Sequence, residues 1–366
     1  MEEDFLRDTE RLQRVELSNC KFSWDSGLLT GLTCLRVERS GSLDRYHSLE
    51  MNSSIIEILH ALQRMPALTD LSLINSIPDD IDSEGRSAYP VVDLPCLRAL
   101  CISSDVGALT TVLRHITIPH TAILSLECRD KQYAHIDFSN FLSVLATKFL
   151  SSMVIRSLGL LVLENRETNG LEFFLSTTAI NQDCFPPSLT SQPQVELFLT
   201  WPSPHPHNHE KALTCAFDAM SLPFLTQLDI ATLNFIDSQT WVKTFGKLPL
   251  LEQVYLHGSA LRSFVGALVH KTDEVEESET PYHDVSFPKL CHINLARIYF
   301  FSTKRSILIE MLLDCLMERC ERKVEVRVLR LKHCYCVSSD DVERLKEVVV
   351  HVIWDGVEQE LSDSED

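Results

Sequence analysis

One short pattern constrains this chain more than any other: an apolar residue, two variable residues, an apolar residue, one variable residue and a third apolar residue. Its clearest copies carry a proline. They are Met65-Pro66-Ala67-Leu68-Thr69-Asp70-Leu71-Ser72-Leu73, Leu94-Pro95-Cys96-Leu97 through Ile102, Leu222-Pro223-Phe224-Leu225 through Ile230, Leu248-Pro249-Leu250-Leu251 through Leu256, and Phe287-Pro288-Lys289-Leu290 through Leu295. Proline-free copies stand at Leu12/Val15/Leu17, Leu32/Leu35/Val37, Ile155/Leu158/Leu160 and Val326/Leu329/Leu331, with weaker ones around Leu124 to Leu126 and Leu197 to Leu199. A period of 20–50 residues marks a repeat architecture. The first apolar positions, from 12 to 326, define about eleven units of about 31 residues.

Each copy closes in a period-two alternation, the mark of a strand with one buried face, and the proline is expected at the strand start, where its missing N–H costs little. Between copies the period becomes helical. Ser54 and Glu57 form a capping box opening a helix over 54–64. Further amphipathic segments occupy 106–117, 139–150, 209–220, 238–247, 259–271, 303–320 and 339–348. Strands stack ~4.8 Å apart while helices are ~10 Å wide, so such an array curves. The expected fold is α/β: an irregular leucine-rich-repeat solenoid, a horseshoe with parallel strands on the concave face and helices on the convex face. It spans 1–354, and 355–366 is an acidic, disordered tail. Long insertions lie at Ile77 to Val92, Pro186 to Pro206 and Thr272 to Thr280. A doubly wound α/β enzyme would alternate in the same way, but the eleven glycines include no G-x-G spacing and no P-loop.

Composition sharpens what the pattern leaves open. Thirty-three Lys and Arg stand against 52 Asp and Glu, a net charge of −19, which excludes a nucleic-acid or anionic-membrane surface as the expected partner. Residues 272–286 and 355–366 carry six acidic side chains each, 12 of the 19 net charges. Twelve cysteines scattered through apolar segments fit a reducing compartment. With no signal-like start and no ~18-residue apolar run, the expected location is intracellular, cytoplasmic or nuclear. The tail Leu361-Ser362-Asp363-Ser364-Glu365-Asp366 also reads as a target for an acid-directed kinase.

The Leu-Pro-x-Leu copies, the Met65-Pro66-Ala67-Leu68-Thr69-Asp70-Leu71 phrase and the closing Val348-Val349-Val350-His351-Val352-Ile353-Trp354-Asp355-Gly356-Val357-Glu358 together resemble the leucine-rich-repeat region of the large F-box protein families of mushroom-forming fungi. The resemblance covers most of the chain. It implies the substrate-recognition part of an F-box-type subunit of a cullin-based ubiquitin ligase, with the cullin-linked adaptor as a partner if an F-box lies upstream. A complete F-box is longer than the eleven residues ahead of Leu12, so the module itself is not expected within this chain. The alternative is a stand-alone repeat scaffold with no ubiquitin role.

Chemistry-bearing clusters are few. His205-Pro206-His207-Asn208-His209 places three imidazoles at two-residue spacing, and its prolines are expected to keep it extended, but no cysteine or carboxylate stands at a matching ligand spacing. Cys334-Tyr335-Cys336 and the Cys315/Cys320 pair lack the spacing of zinc modules. No G-x-S-x-G or H-E-x-x-H motif is present. The expectation is a non-enzymatic, protein-binding module with no metal and no cofactor. Its site is expected on the variable strand positions that point to solvent side by side. Toward the C-terminal end these are Gln253, Tyr255, His257, His292, Asn294, Arg330 and Lys332; near the N-terminal end Arg14, Glu16, Arg36 and Glu38 include a Glu16–Arg36 cross-strand pair. Tyr and Arg are favoured interface residues.

Overall fold

A computed structural model of the chain describes residues 12–39, 54–78, 89–130, 137–164, 169–178, 193–202, 206–231, 235–269, 285–300 and 307–358. Within them a mixed α/β fold carries one large sheet. Its strands are β1 (Arg14–Ser18), β2 (Cys34–Glu38), β3 (Asp70–Ile74), β5 (Ala99–Asp105), β7 (Ile123–Arg129), β8 (Ser157–Glu164), β9 (Asn169–Ser176), β10 (Val195–Trp201), β11 (Gln227–Ala231), β12 (Gln253–His257), β13 (His292–Ala296), β14 (Val328–Lys332) and β15 (His351–Trp354). A separate two-stranded ladder joins β4 (Val92–Asp93) to β6 (Ile116–Thr117). The large sheet runs β1-β2-β3-β5-β7-β10-β9-β8-β11-β12-β13-β14-β15, with two open edges and therefore no closed barrel.

Eight helices alternate with the strands: α1 (Ile55–Gln63), α2 (Val106–His115), α3 (Ser139–Lys148), α4 (Pro206–Ala219), α5 (Ser238–Trp241, continued by a π turn over Val242–Gly246), α6 (Leu261–Val269), α7 (Ile307–Glu321) and α8 (Ser339–Val348). Each touches the next in chain order, α4 reaching α5 through the Thr240 hydroxyl, which donates to Glu210 Oε1 at 2.8 Å. All eight expected helices are present. In α1 the capping box forms on both sides, Glu57 N–H donating to Ser54 Oγ at 3.3 Å and Ser54 N–H to Glu57 Oε2 at 3.4 Å. Ile55, Ile58, Leu59 and Leu62 then bury one helical stripe.

The five prolines do not start strands. Each occupies the second position of a β-turn closed by a backbone bond from the first apolar residue of the copy: Leu68 N–H to Met65 O at 3.1 Å, Leu97 to Leu94 at 3.1 Å, Leu225 to Leu222 at 3.2 Å, Leu251 to Leu248 at 3.5 Å, and Leu290 to Phe287 at 3.1 Å. Proline's fixed φ suits that position. The strand follows four residues after every proline. Strand exits are equally regular: Asn19, Asn75, Arg297 and His333 turn left-handed with φ of 50–52° directly after β1, β3, β13 and β14, and Gly258 does so after β12 with φ 74°.

Alternation decides the layers. Leu71, Leu73, Leu100, Ile102, Leu228, Ile230, Val254, Leu256, Ile293, Leu295, Leu329 and Leu331 are all at most 2% exposed and join one continuous core with the buried helix residues. Removing any one of these leucines to alanine costs about 2–5 kcal/mol. The alternate residues face away from the helix row.

Besides the short β4 and β6, two strands of the large sheet were not expected, and one of them changes the topology. β9 is antiparallel to both β8 and β10, so the chain runs β8-β9-β10 as a meander, with no helix between them among the described residues. In consequence β8 pairs with β11 and β10 with β7, and the unit starting at Ile155 does not lie beside the unit before it. The Pro186–Pro206 stretch expected as an insertion contains β10. The other unexpected strand, β15, extends the parallel ladder beyond β14. Of the expected tail, Asp355 and Glu358 are held: His333 N–H donates to Asp355 Oδ2 at 2.6 Å and Ser339 N–H to Glu358 Oε1 at 2.8 Å. Residues 359–366, including the kinase-like sequence, and the acidic stretch 272–280 lie outside the described residues.

Candidate protein-binding face

The parallel register of β11 to β14 brings all seven expected residues onto one face. Gln227, Gln253, His292 and Val328 form one cross-strand row; Asp229, Tyr255, Asn294 and Arg330 the next; Ala231, His257, Ala296 and Lys332 the third. A repeated backbone staple fixes this register. The N–H groups of Glu252 and Gln253 converge on Thr226 O, those of Cys291 and His292 on Glu252 O, and those of Arg327 and Val328 on Cys291 O, at 2.9–3.0 Å.

The face is graded from closed to open. Toward β11 it is a buried polar network: Gln227 is 3% and Asp229 6% exposed, and Gln227 Nε2 donates to Gln253 Oε1 at 3.1 Å. Tyr255 OH donates to the same oxygen at 3.2 Å. Asp229 Oδ1 stands 2.9 Å from His257 Nε2, an ion-pair distance when the imidazole is protonated. Tyr255, expected to point to solvent, is only 7% exposed, with its hydroxyl held inside this network by Gln253. Toward β14 the face opens: His292, Asn294, Arg330 and Lys332 are half-buried. Gln227 and Asp229 were missed from the sequence, although they occupy the same variable positions of the copy starting at Leu225.

Charge state limits what this face does chemically. Burial lowers His292 below the ordinary imidazole range and raises the Cys291 thiol, 3.2 Å from its Nδ1. Both are therefore neutral near pH 7, whereas nucleophilic attack requires the thiolate. In register beside them the face offers a guanidinium, an ammonium, an amide and an imidazole.

The other singled-out residues resolve differently. Glu16 does lie opposite Arg36, but Arg36 Nη2 pairs along its own strand with Glu38 at 3.0 Å. The histidine segment is not extended, since α4 begins at Pro206; residues two apart on a helix point about 200° apart. His207 is exposed, whereas His209 is 3% exposed with its ring 4.9 Å from Trp201 and 5.0 Å from Phe235. His205 lies outside the described residues, among which no group of three or more His, Cys, Asp or Glu is placed to hold a metal. Cys334 and Cys315 are fully buried and their thiols are pushed up by burial to about 11 and about 12. Among the described residues no helix is long and apolar enough to cross a membrane.

A second part of the same face carried no expectation. At its centre, Glu127 of β7, Phe198 of β10 and Glu172 of β9 are direct cross-strand partners, and Glu196 and Phe174 partner each other in the adjacent row. The alternation in Leu171-Glu172-Phe173-Phe174-Leu175 and Val195-Glu196-Leu197-Phe198-Leu199 was the available signal. Compared with known proteins, the chain matches no family model and none of the curated proteins.

Proposed function

We propose that this chain is an irregular leucine-rich-repeat solenoid that binds a protein on the concave face of its sheet and serves as the substrate-recognition part of an F-box-type subunit of a cullin-based ubiquitin ligase. The observation that carries the binding role is the two-sided character of the sheet. One face is sealed by a row of helices, and the other presents polar side chains in register on strand after strand. The regular Pro-turn before the strands and left-handed residue after them support the repeat reading. The ubiquitin role rests on the resemblance of the Leu-Pro-x-Leu units and the closing Val348–Glu358 segment to fungal F-box proteins. On this reading the chain binds and does not catalyse.

The test is affinity purification from native cells with intact-mass analysis. Recovery of the cullin-linked adaptor on a form carrying an F-box is the expected result. Absence of adaptor and cullin replaces the ligase role with that of a stand-alone scaffold. The paired variant Arg330→Ala/Lys332→Ala should reduce retention of the bound protein at least tenfold while its thermal melt stays unchanged, since half-buried surface side chains contribute little to stability.

A further inference from the structure

The centre of the bare face differs from the rest of it in kind. Phe198 stands between Glu127 and Glu172, its direct partners on the two flanking strands, and Glu196 precedes it by two residues on its own strand. Cross-strand neighbours lie ~4.8 Å apart and same-face neighbours on one strand about 7 Å apart, so three glutamate positions surround one half-buried phenylalanine. Phe174 is placed differently, because it lies down over Gly159: a Cβ on that glycine would come within 3.3 Å of Phe174 Cδ2. Glu127 is also bonded on its other flank, where Ser103 Oγ of β5 donates to its Oε2 at 2.7 Å. The face of these central strands also carries Asp105 and, among the described residues, the cation Arg129, its cross-strand partner, which ends β7 two residues after Glu127.

We infer that Phe198 and its three surrounding glutamates are a docking point for an arginine side chain of the bound protein, the guanidinium lying on the ring and its N–H groups reaching the carboxylates. This rests on the protein-binding reading of the face and names the chemistry of what the face selects. Charge complementarity selects a cation here, and a planar guanidinium suits the ring better than an ammonium: it stacks on aromatic faces, is more weakly hydrated and offers five donors in a fork. Burial, with the adjacent Glu196 carboxylate, raises Glu172 to about 7. A cation seated beside it reverses that, so docking releases a proton near neutrality. The charged groups facing Glu172 are Glu196 and Glu127, with Arg129 at the rim; the flanking β8 positions are Gly159 and Leu161.

The probes are two fluorescein-labelled eight-residue peptides, one alternating leucine with arginine and the other leucine with lysine, titrated by fluorescence anisotropy against the full chain. The arginine probe should bind the tighter of the two, and more tightly at pH 8 than at pH 6. Glu127→Gln/Glu172→Gln should weaken it at least tenfold and Phe198→Leu about threefold to tenfold. Removing the same charge from α8, by Glu343→Gln/Glu347→Gln, should change it less than twofold. Equal weakening by the two glutamine pairs, no preference for arginine, or no binding overturns the inference, as does a dimer that dissociates in Glu127→Gln/Glu172→Gln. Glutamine keeps the size of glutamate and removes a half-buried charge, so these variants are expected to fold. If Arg330→Ala/Lys332→Ala releases the native partner while Glu127→Gln/Glu172→Gln retains it, the docking point falls and the binding face stands. If both retain it, the binding face falls too.

Discussion

The parallel ladder from β11 to β15 and the antiparallel meander β8-β9-β10 belong to one sheet, yet they are stabilised in different ways. In the ladder every strand arrives through a helix, the staple carbonyls of Thr226, Glu252 and Cys291 repeat, and the bare face stays polar and hydrogen-bonded. In the meander three antiparallel strands pack with no intervening helix among the described residues, and the bare face acquires phenylalanines and carboxylates. Repetition solves the hydrogen bonding of the first region unit by unit, whereas the second is a single local solution. A change in the ladder should therefore act through interfaces between units, and a change in the meander through close packing or unbalanced charge.

The largest expected effect is in the ladder. Arg319 on α7 is 1% exposed and donates from Nη1 to Ser286 O and from Nη2 to Phe287 O, both at 2.9 Å, clamping the helix to the turn that starts the β13 unit. Burial lowers it to about 10, so it remains charged at pH 7. Arg319→Met keeps the apolar stem but removes two charged hydrogen bonds, leaving Phe287 O with the Leu290 N–H alone and Ser286 O without the guanidinium, a loss of about 3 kcal/mol. Urea unfolding should show a lower midpoint. Hydrogen exchange should accelerate in β13 to β15 first, because a repeat contacts only its neighbours; uniform acceleration including β1 to β3 would contradict a unit-by-unit construction.

The meander breaks by crowding. A Cβ on Gly170 of β9 would lie 2.5 Å from the Leu199 carbonyl oxygen of β10, so Gly170→Ala must push two paired backbones apart. About 1–3 kcal/mol is expected, the range for overpacking. Calorimetry of this variant beside Gly107→Ala, whose added Cβ meets nothing within 4 Å, isolates the backbone contact. Equal melting temperatures for the pair would remove the close approach as a constraint.

This contrast also explains what was legible in the sequence. The eight helices and the ladder strands β11 to β14 were readable because each unit restates the same local rules: a turn, three alternating apolar positions, an exit, an amphipathic segment; β15, which follows no such turn, was not. The capping box at Ser54 and the Glu16–Arg36 register followed from spacing alone. β9 was not readable as a reversal, since Leu171, Phe173 and Leu175 alternate just as a parallel strand does, and strand direction leaves no trace in a period of two. Tyr255 was placed on the correct face but not at the correct depth, because depth depends on the hydrogen-bonded network it joins. The histidine segment misled because proline is tolerated in the first turn of a helix, where α4 places Pro206.

The smallest effect separates the regions by pH. Glu172 is raised from the ordinary carboxylate value of 4.5 to about 7 by burial first and by Glu196 second. The folded chain therefore holds a proton that the unfolded chain has lost between these two values. Stability falls as pH rises through that window, and the penalty is fully present above it. Because the group is half-buried, solvent screening reduces the penalty to about 1 kcal/mol. Glu172→Gln removes the charge, so it should stabilise the protein by that amount at pH 8 and by almost nothing at pH 4. No such gain should follow from Glu310→Gln on α7, whose exposed carboxylate is lowered by its bond to Arg344 at 2.6 Å. A pH-independent gain in Glu172→Gln would mean that packing, and not proton binding, is what the glutamate disturbs in the meander.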